Sequence, residues 1–269
     1  MNLPLTAADL LQRFDHPSVQ AIALLGSYAR DDAGPFSDVD LLRLVAVDAP
    51  ELPDNGTHLI DGWLVNVSSA TPAGTRGWFE RPEEAVSHIA GLRVARVLVD
   101  RNGALAGLQA RAHAFVWDAT MQGRADRWAS RQLVGWAEEA HKGLEGLRRG
   151  DVGRLLNARH GCSWGLNHVI QVQRGVLVSG DNAVYDEVGA AMADQPEWLR
   201  LRRLAFGLED AAGTAPTIAE QVRAGLRLYA LTAELLDATL QPEDRPIIAL
   251  TVARISEGLV EQGVGARFL

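Results

Sequence analysis

Residues 24–42 read LLGSYARDDAGPFSDVDLL. An apolar run closes on Gly26-Ser27, and after a polar gap Asp38 and Asp40, one residue apart, open a second apolar run. In a strand, side chains alternate across the backbone, so Asp38 and Asp40 project from one face while Val39 and Leu41 project from the other. Two carboxylates that close repel, and one tends to take up a proton unless a cation sits between them. A divalent metal resolves the conflict, because Mg²⁺ favours one or two carboxylates together with phosphate oxygens and water. Gly26 permits a tight turn after the first run, and Ser27 is placed to open a short helix whose N–H groups face an anion. Arg30, about one turn on, is the candidate to reach the same anion, and Asp31, Asp32, Gly34 and Pro35 read as the returning loop.

The flanking sequence supports two strands here. VQAIALLG (19–26) and DVDLLRLVAV (38–47) are followed by THLI and WLVNVS around Asp61-Gly62, a dipeptide that between β-rich runs signals a hairpin. LRVARVLVD (92–100) reads as a further strand, Thr6 as the N-cap of a helix to Phe14, and Pro82 to His88 as another helix. Beyond Asn102-Gly103 the pattern is helical: Trp128, Leu133, Trp136, Ala140, Leu144 and Leu147 recur at helical spacing, and helical runs follow at 152–178, 195–208, 216–239 and 246–262. The expected fold is α+β followed by α: an α/β domain with a mixed sheet over 1–102 and a helical bundle over 103–269.

Composition narrows the function. The 269 residues carry a net charge of −8, of which residues 1–100, with 14 acids and 7 arginines, supply −7. Phosphate backbones require a basic stripe, so a nucleic-acid partner is disfavoured, whereas a cationic small molecule is attracted. Lys142 is the single lysine and no Gly-x-x-x-x-Gly-Lys occurs, which excludes a Walker loop. One cysteine, Cys162, excludes an intrachain disulfide. The start MNLPLTAADLLQRF lacks the features of a signal peptide, and no run approaches a membrane span, so the expectation is a cytoplasmic, soluble protein.

Gly26-Ser27, a gap of about ten residues and Asp38-Val39-Asp40 between apolar residues resemble the signature of the DNA polymerase β-like nucleotidyltransferase superfamily. Over residues 20–70 the spacing is most similar to the kanamycin (aminoglycoside 4′) nucleotidyltransferases. The resemblance implies transfer of a nucleoside monophosphate from an NTP to a hydroxyl with release of pyrophosphate. Mg²⁺ or Mn²⁺ would be held by Asp38 and Asp40, and the triphosphate by Gly26, Ser27 and Arg30. It places a third acidic ligand at Asn66, where an amide cannot supply negative charge. In WLVNVS, Leu64, Asn66 and Ser68 share a face, so Asn66 still looks into the site. That departure leaves open a slow enzyme, a one-metal enzyme, or an inactive relative that binds nucleotide or a protein partner. Asp61 is a substitute acid, though its place in the hairpin turn favours a structural role.

The same resemblance points to Glu138 as the carboxylate base for the acceptor hydroxyl, working across a homodimer interface. An exposed pair with Lys142 four residues on is the alternative. Glu139, His141 and Glu145 read as surface. Arg154 and His160 fit a loose ribonuclease spacing, and His160, Cys162 and His168 fit no standard zinc pattern. Trp63 and Trp78 are candidates to stack on a base or sugar.

Overall fold

The computed structural model describes residues 3–46, 55–209 and 213–261. Its first elements are α1 (Ala7–Phe14), β1 (Val19–Leu25), α2 (Gly26–Arg30), β2 (Val39–Val45), β3 (Gly56–Ile60), β4 (Trp63–Ala70), α3 (Pro72–Glu80), α4 (Pro82–Val94), β5 (Arg96–Asp100) and α5 (Ala104–Ala114). There follow α6 (Ala119–Arg149), α7 (Val152–His160), α8 (Leu166–Gln173), α9 (Val184–Ala191), α10 (Pro196–Ala205), α11 (Ile218–Leu235) and α12 (Arg245–Glu261). Val47 and Gln262, the last residues of two expected elements, lie outside the described residues. Contacts divide the chain into two compact units, Met1–Asp118 with Leu177–Val184, and Ala119–Val176 with Tyr185–Leu269. The composition change at residue 102 falls before α5, whereas the contacts group α5 and the segment 177–184 with the sheet.

The sheet is mixed, as expected, with order β3-β4-β2-β1-β5. β2 and β4 run parallel, and the other pairs are antiparallel. α1 starts at a capping box in which the Thr6 hydroxyl accepts from the Asp9 N–H and the Asp9 carboxylate accepts from the Thr6 N–H. Leu10 and Phe14 of α1 pack with Ile22, Leu24, Val39, Leu41, Val65 and Val67, which all project from one sheet face. The β3–β4 turn puts Asp61 at φ 49° and Gly62 at φ 86°, both in the left-handed region that a two-residue hairpin requires. Asp61 is therefore the turn residue, in keeping with its structural reading.

Several elements depart from the sequence reading. Leu92 to Val94 finish α4 rather than open a strand, and β5 begins at Arg96. The apolar Leu-x-Val is compatible with either period, and the helix from Pro82 wins because Leu92 is buried one turn beyond Ile89. α3 and α9 were not anticipated; α3 is announced only by its Thr71 cap and Pro72.

In the second unit the most buried stripe of α6 is Ala125, Ala129, Leu133, Ala137, Ala140, Gly143 and Gly146, not the larger Trp128, Trp136, Leu144 and Leu147. Close approach is the reason. A Cβ on Gly143 would lie 3.0 Å from Ala158 Cβ and 3.2 Å from Val222 Cγ1. Trp136 in turn lies across Gly161 and Gly165 of a π-helical turn between α7 and α8.

Candidate active site

Three adjacent strands deliver the site in register. Leu25 at the end of β1 pairs with Asp40 on β2, and Asp40 pairs with Asn66 on β4. The turn out of β1 is tight. Gly26 has φ 63°, and a Cβ there would overlap Asp40 Oδ2, so the carboxylate occupies the space a side chain would fill. Any larger residue at 26 displaces Asp40.

Asn66 faces the two aspartates, as its alternation predicts. Its Nδ2 donates to Asp38 Oδ2 and, at 3.4 Å, to Asp40 Oδ1. The amide is held in that sense by Thr57, whose Oγ1 donates to Asn66 Oδ1 at 2.6 Å. Asn66 thus presents a donor, not a ligand oxygen, to the acidic pair. Thr57 escaped the sequence reading, yet the hairpin register counted back from Asp61-Gly62 pairs 57 with 66 and could have found it.

Burial pushes the Asp40 carboxyl above the usual carboxylate range, and the neighbouring Asp38 charge adds to the shift. The Asn66 hydrogen bond opposes it, Asp181 raises it further, and Arg30 lowers it slightly. Asp181 belongs to the segment that joins the sheet unit from 141 residues down the chain, and no sequence signal marks it.

Arg30 is held rather than solvated. Its Nε donates to Asp32 Oδ2 at 2.9 Å and its Nη1 to the Ser179 carbonyl at 2.8 Å. The guanidinium lies against Gly180, where a Cβ would come within 2.8 Å of Nη1. Arg96 donates to the Ala29 carbonyl at 3.0 Å and pairs with Asp31, which ties the end of α2 to β5.

Oxygen ligands on one face, short of positive charge and with a neutral amide as their bridging donor, suit a hard divalent cation such as Mg²⁺ or Mn²⁺. Among the described residues no cluster of three or more His, Cys, Asp or Glu is arranged to hold a metal.

Residues 7–93 match the family model of a nucleotidyltransferase domain. The structure of a nucleotidyltransferase-like protein from Exiguobacterium sibiricum 255-15 resembles the chain with TM-score 0.50 at 12% identity. The likeness covers 96% of this chain and 92% of that one. No curated protein matches the sequence. Residues 7–93 therefore have the nucleotidyltransferase fold, and Gly26, Asp38, Asp40 and Asn66 all lie among them.

The other sequence candidates fall elsewhere. Glu138 on α6 is 75% exposed and pairs with Lys142 Nζ at 2.9 Å. Glu139 is not a surface residue: it is 19% exposed and makes the shorter contact to Lys142, 2.7 Å. Arg154 pairs with Asp151, the cap of α7. Cys162 is buried and its thiol is pushed up to about 12 by desolvation. His168 bonds to Gln171 and meets Trp128 edge-on. Trp78 stacks on His88 at 4.5 Å, and Trp63 packs against the α1 side of the sheet, so neither is free to stack on a base.

Proposed function

We propose that the protein transfers a nucleoside monophosphate from an NTP to a hydroxyl and releases pyrophosphate. The observation that carries this reading is the convergence of Asp38 and Asp40 on one spot beside Gly26, inside the nucleotidyltransferase domain. Asp38 and Asp40 would hold Mg²⁺ or Mn²⁺, which when bound supplies positive charge to the phosphates. Ser27 and Arg30 orient the triphosphate on the β1 side of the pair, and the contacts of Arg30 to Asp32 and Ser179 fix the direction of its guanidinium.

The acceptor oxygen attacks the α-phosphorus, a P–O bond forms, and the bond to pyrophosphate breaks in line with it. The hydroxyl proton passes to water or, across a homodimer interface, to Glu138 of a second copy of the chain, and a Glu138→Gln variant separates the two. With an amide in place of a third carboxylate, the reading is of a one-metal or slow enzyme. The net charge of −7 over residues 1–100 would attract a cationic acceptor of the aminoglycoside type, a second reading that direct comparison with kanamycin tests.

The test is pyrophosphate release from each of the four NTPs with Mg²⁺ or Mn²⁺, with and without a panel of aminoglycosides and other hydroxyl compounds, comparing wild type with Asp40→Asn. Release that disappears in the variant supports the transferase. Nucleotide binding by calorimetry with no release under any condition would overturn it and leave a binding module.

A further inference from the structure

The sheet face that carries Asp38, Asp40 and Asn66 is covered unevenly. Towards β1, where α4 and α5 pack, Ala21, Ala23, Leu42 and Leu44 are buried. Towards β3 its large side chains are exposed. The parallel register of β2 and β4 places Leu64 beside Asp38, and the antiparallel register of β3 and β4 pairs Leu64 with Leu59. Leu64 is 52% exposed and Leu59 75%. Phe36, two residues before Asp38, is 100% exposed, on a loop pinned by the Gly34 N–H donating to Ser37 Oγ at 2.8 Å and the Ser37 N–H donating to the Gly34 carbonyl at 3.1 Å. A single exposed leucine is ordinary. Two paired, exposed leucines on the face that carries two half-buried acids, with an exposed Phe36 two residues before Asp38, are a surface with an unmet partner.

We infer that Phe36, Leu59 and Leu64 form an apolar shelf that seats the acceptor, which is therefore a hydroxyl compound with an apolar face next to its reacting hydroxyl. This rests on the transferase reading above. The chemistry decides between acceptor and nucleotide. Ser27 and Arg30 hold the departing pyrophosphate on the β1 side, and in-line displacement requires the attacking oxygen on the opposite side of the α-phosphorus. That side is β4, where Asn66 and Leu64 stand. The three shelf side chains carry no charge, so they favour contact with hydrocarbon over an ammonium group.

The probe is octyl β-D-glucoside, used below its micelle-forming concentration, with methyl β-D-glucoside and kanamycin as hydroxyl compounds that lack the alkyl chain. Methyl and aromatic NMR resonances of the full chain read the contact residue by residue. Octyl glucoside is expected to move Leu59, Leu64 and Phe36, to do so equally with Mg²⁺ and a saturating NTP present, and to exceed both controls. Phe36→Ser with Leu64→Thr, both at exposed positions, should weaken octyl glucoside binding by about tenfold and leave the nucleotide Kd unchanged. The inference is overturned by three results: no shift at these residues, equal shifts from kanamycin or methyl glucoside, or displacement of octyl glucoside by NTP, which would make the shelf a base site. Failure of the transferase reading has a different signature: no pyrophosphate release from any NTP, with the shelf shifts intact.

Discussion

Two regions of this molecule withdraw charge from water, and they do it in opposite ways. In the helical unit, Arg202 on α10 is buried, yet its Nε donates to Asn167 Oδ1 at 2.7 Å and its Nη2 to the Tyr185 carbonyl, while its guanidinium lies 3.9 Å from the centre of the Tyr185 ring. Burial lowers its pKa to about 10, which leaves it charged at neutral pH with its partners in place. In the sheet unit, Asp38 and Asp40 are like charges sharing one amide, and burial and repulsion raise Asp40 instead. A buried charge with its partners in place is architecture; two like charges sharing one neutral donor are poised to receive a cation.

The largest effect that can break this contrast is Asp38→Ala. Transfer should fall by about 10³-fold, since one developing-charge contact is lost, with no loss of thermal stability. A variant that loses activity only in proportion to its folded fraction would make the aspartates as structural as Arg202. Next is Arg202→Ala, which orphans Asn167 and the Tyr185 carbonyl and opens a cavity; unfolding in urea should show a loss of about 3 kcal/mol, with the activity of the folded fraction unchanged. Asn66→Asp supplies the missing acid. Calorimetry should find Mg²⁺ bound about tenfold more tightly near neutral pH, and the metal-free protein less stable because three carboxylates now crowd one spot. Thr57→Val releases the amide that Thr57 holds and should change Mg²⁺ affinity by a few fold.

The smallest effects are in pH. Asp40 has a raised pKa, so the folded state binds its proton more tightly than the unfolded chain does. Its contribution to metal-free stability is full below the ordinary carboxylate range and is lost as pH rises through the raised value. Asp15, which receives both nitrogens of Arg101 at the start of β1, has a lowered pKa, and its contribution is present above the ordinary range and lost as pH falls through the lowered value. Urea melts across the acid range should therefore lose opposite slopes in Asp40→Asn and Asp15→Asn.

Much of the site was legible because its determinants are local. Alternation alone puts Asp38 and Asp40 on one face and turns Asn66 towards them, and the Asp61-Gly62 hairpin fixes the register that brings Thr57 to Asn66. The tryptophans were less legible. Trp63 alternates with Val65 and Val67 on the α1 side, but which face of a sheet is covered depends on elements distant in sequence. The α6 stripe misled for a related reason: spacing reveals a helix face, whereas the size of the residues on it is set by how closely α7 and α11 approach.

The sequence by itself determined the sheet elements around the motif, the capped first helix, the acidic pair and its incomplete third position, since each follows from backbone geometry within a few residues. Only the tertiary structure decided the direction in which Asn66 presents its amide, the hold of Ser179 and Gly180 on Arg30, and the nearness of Asp181 to Asp40. It also decided which part of the active face stays exposed. Apart from the Thr57–Asn66 hairpin pair, those are contacts between segments far apart in the chain, and their formation depends on packing that local periodicity does not encode.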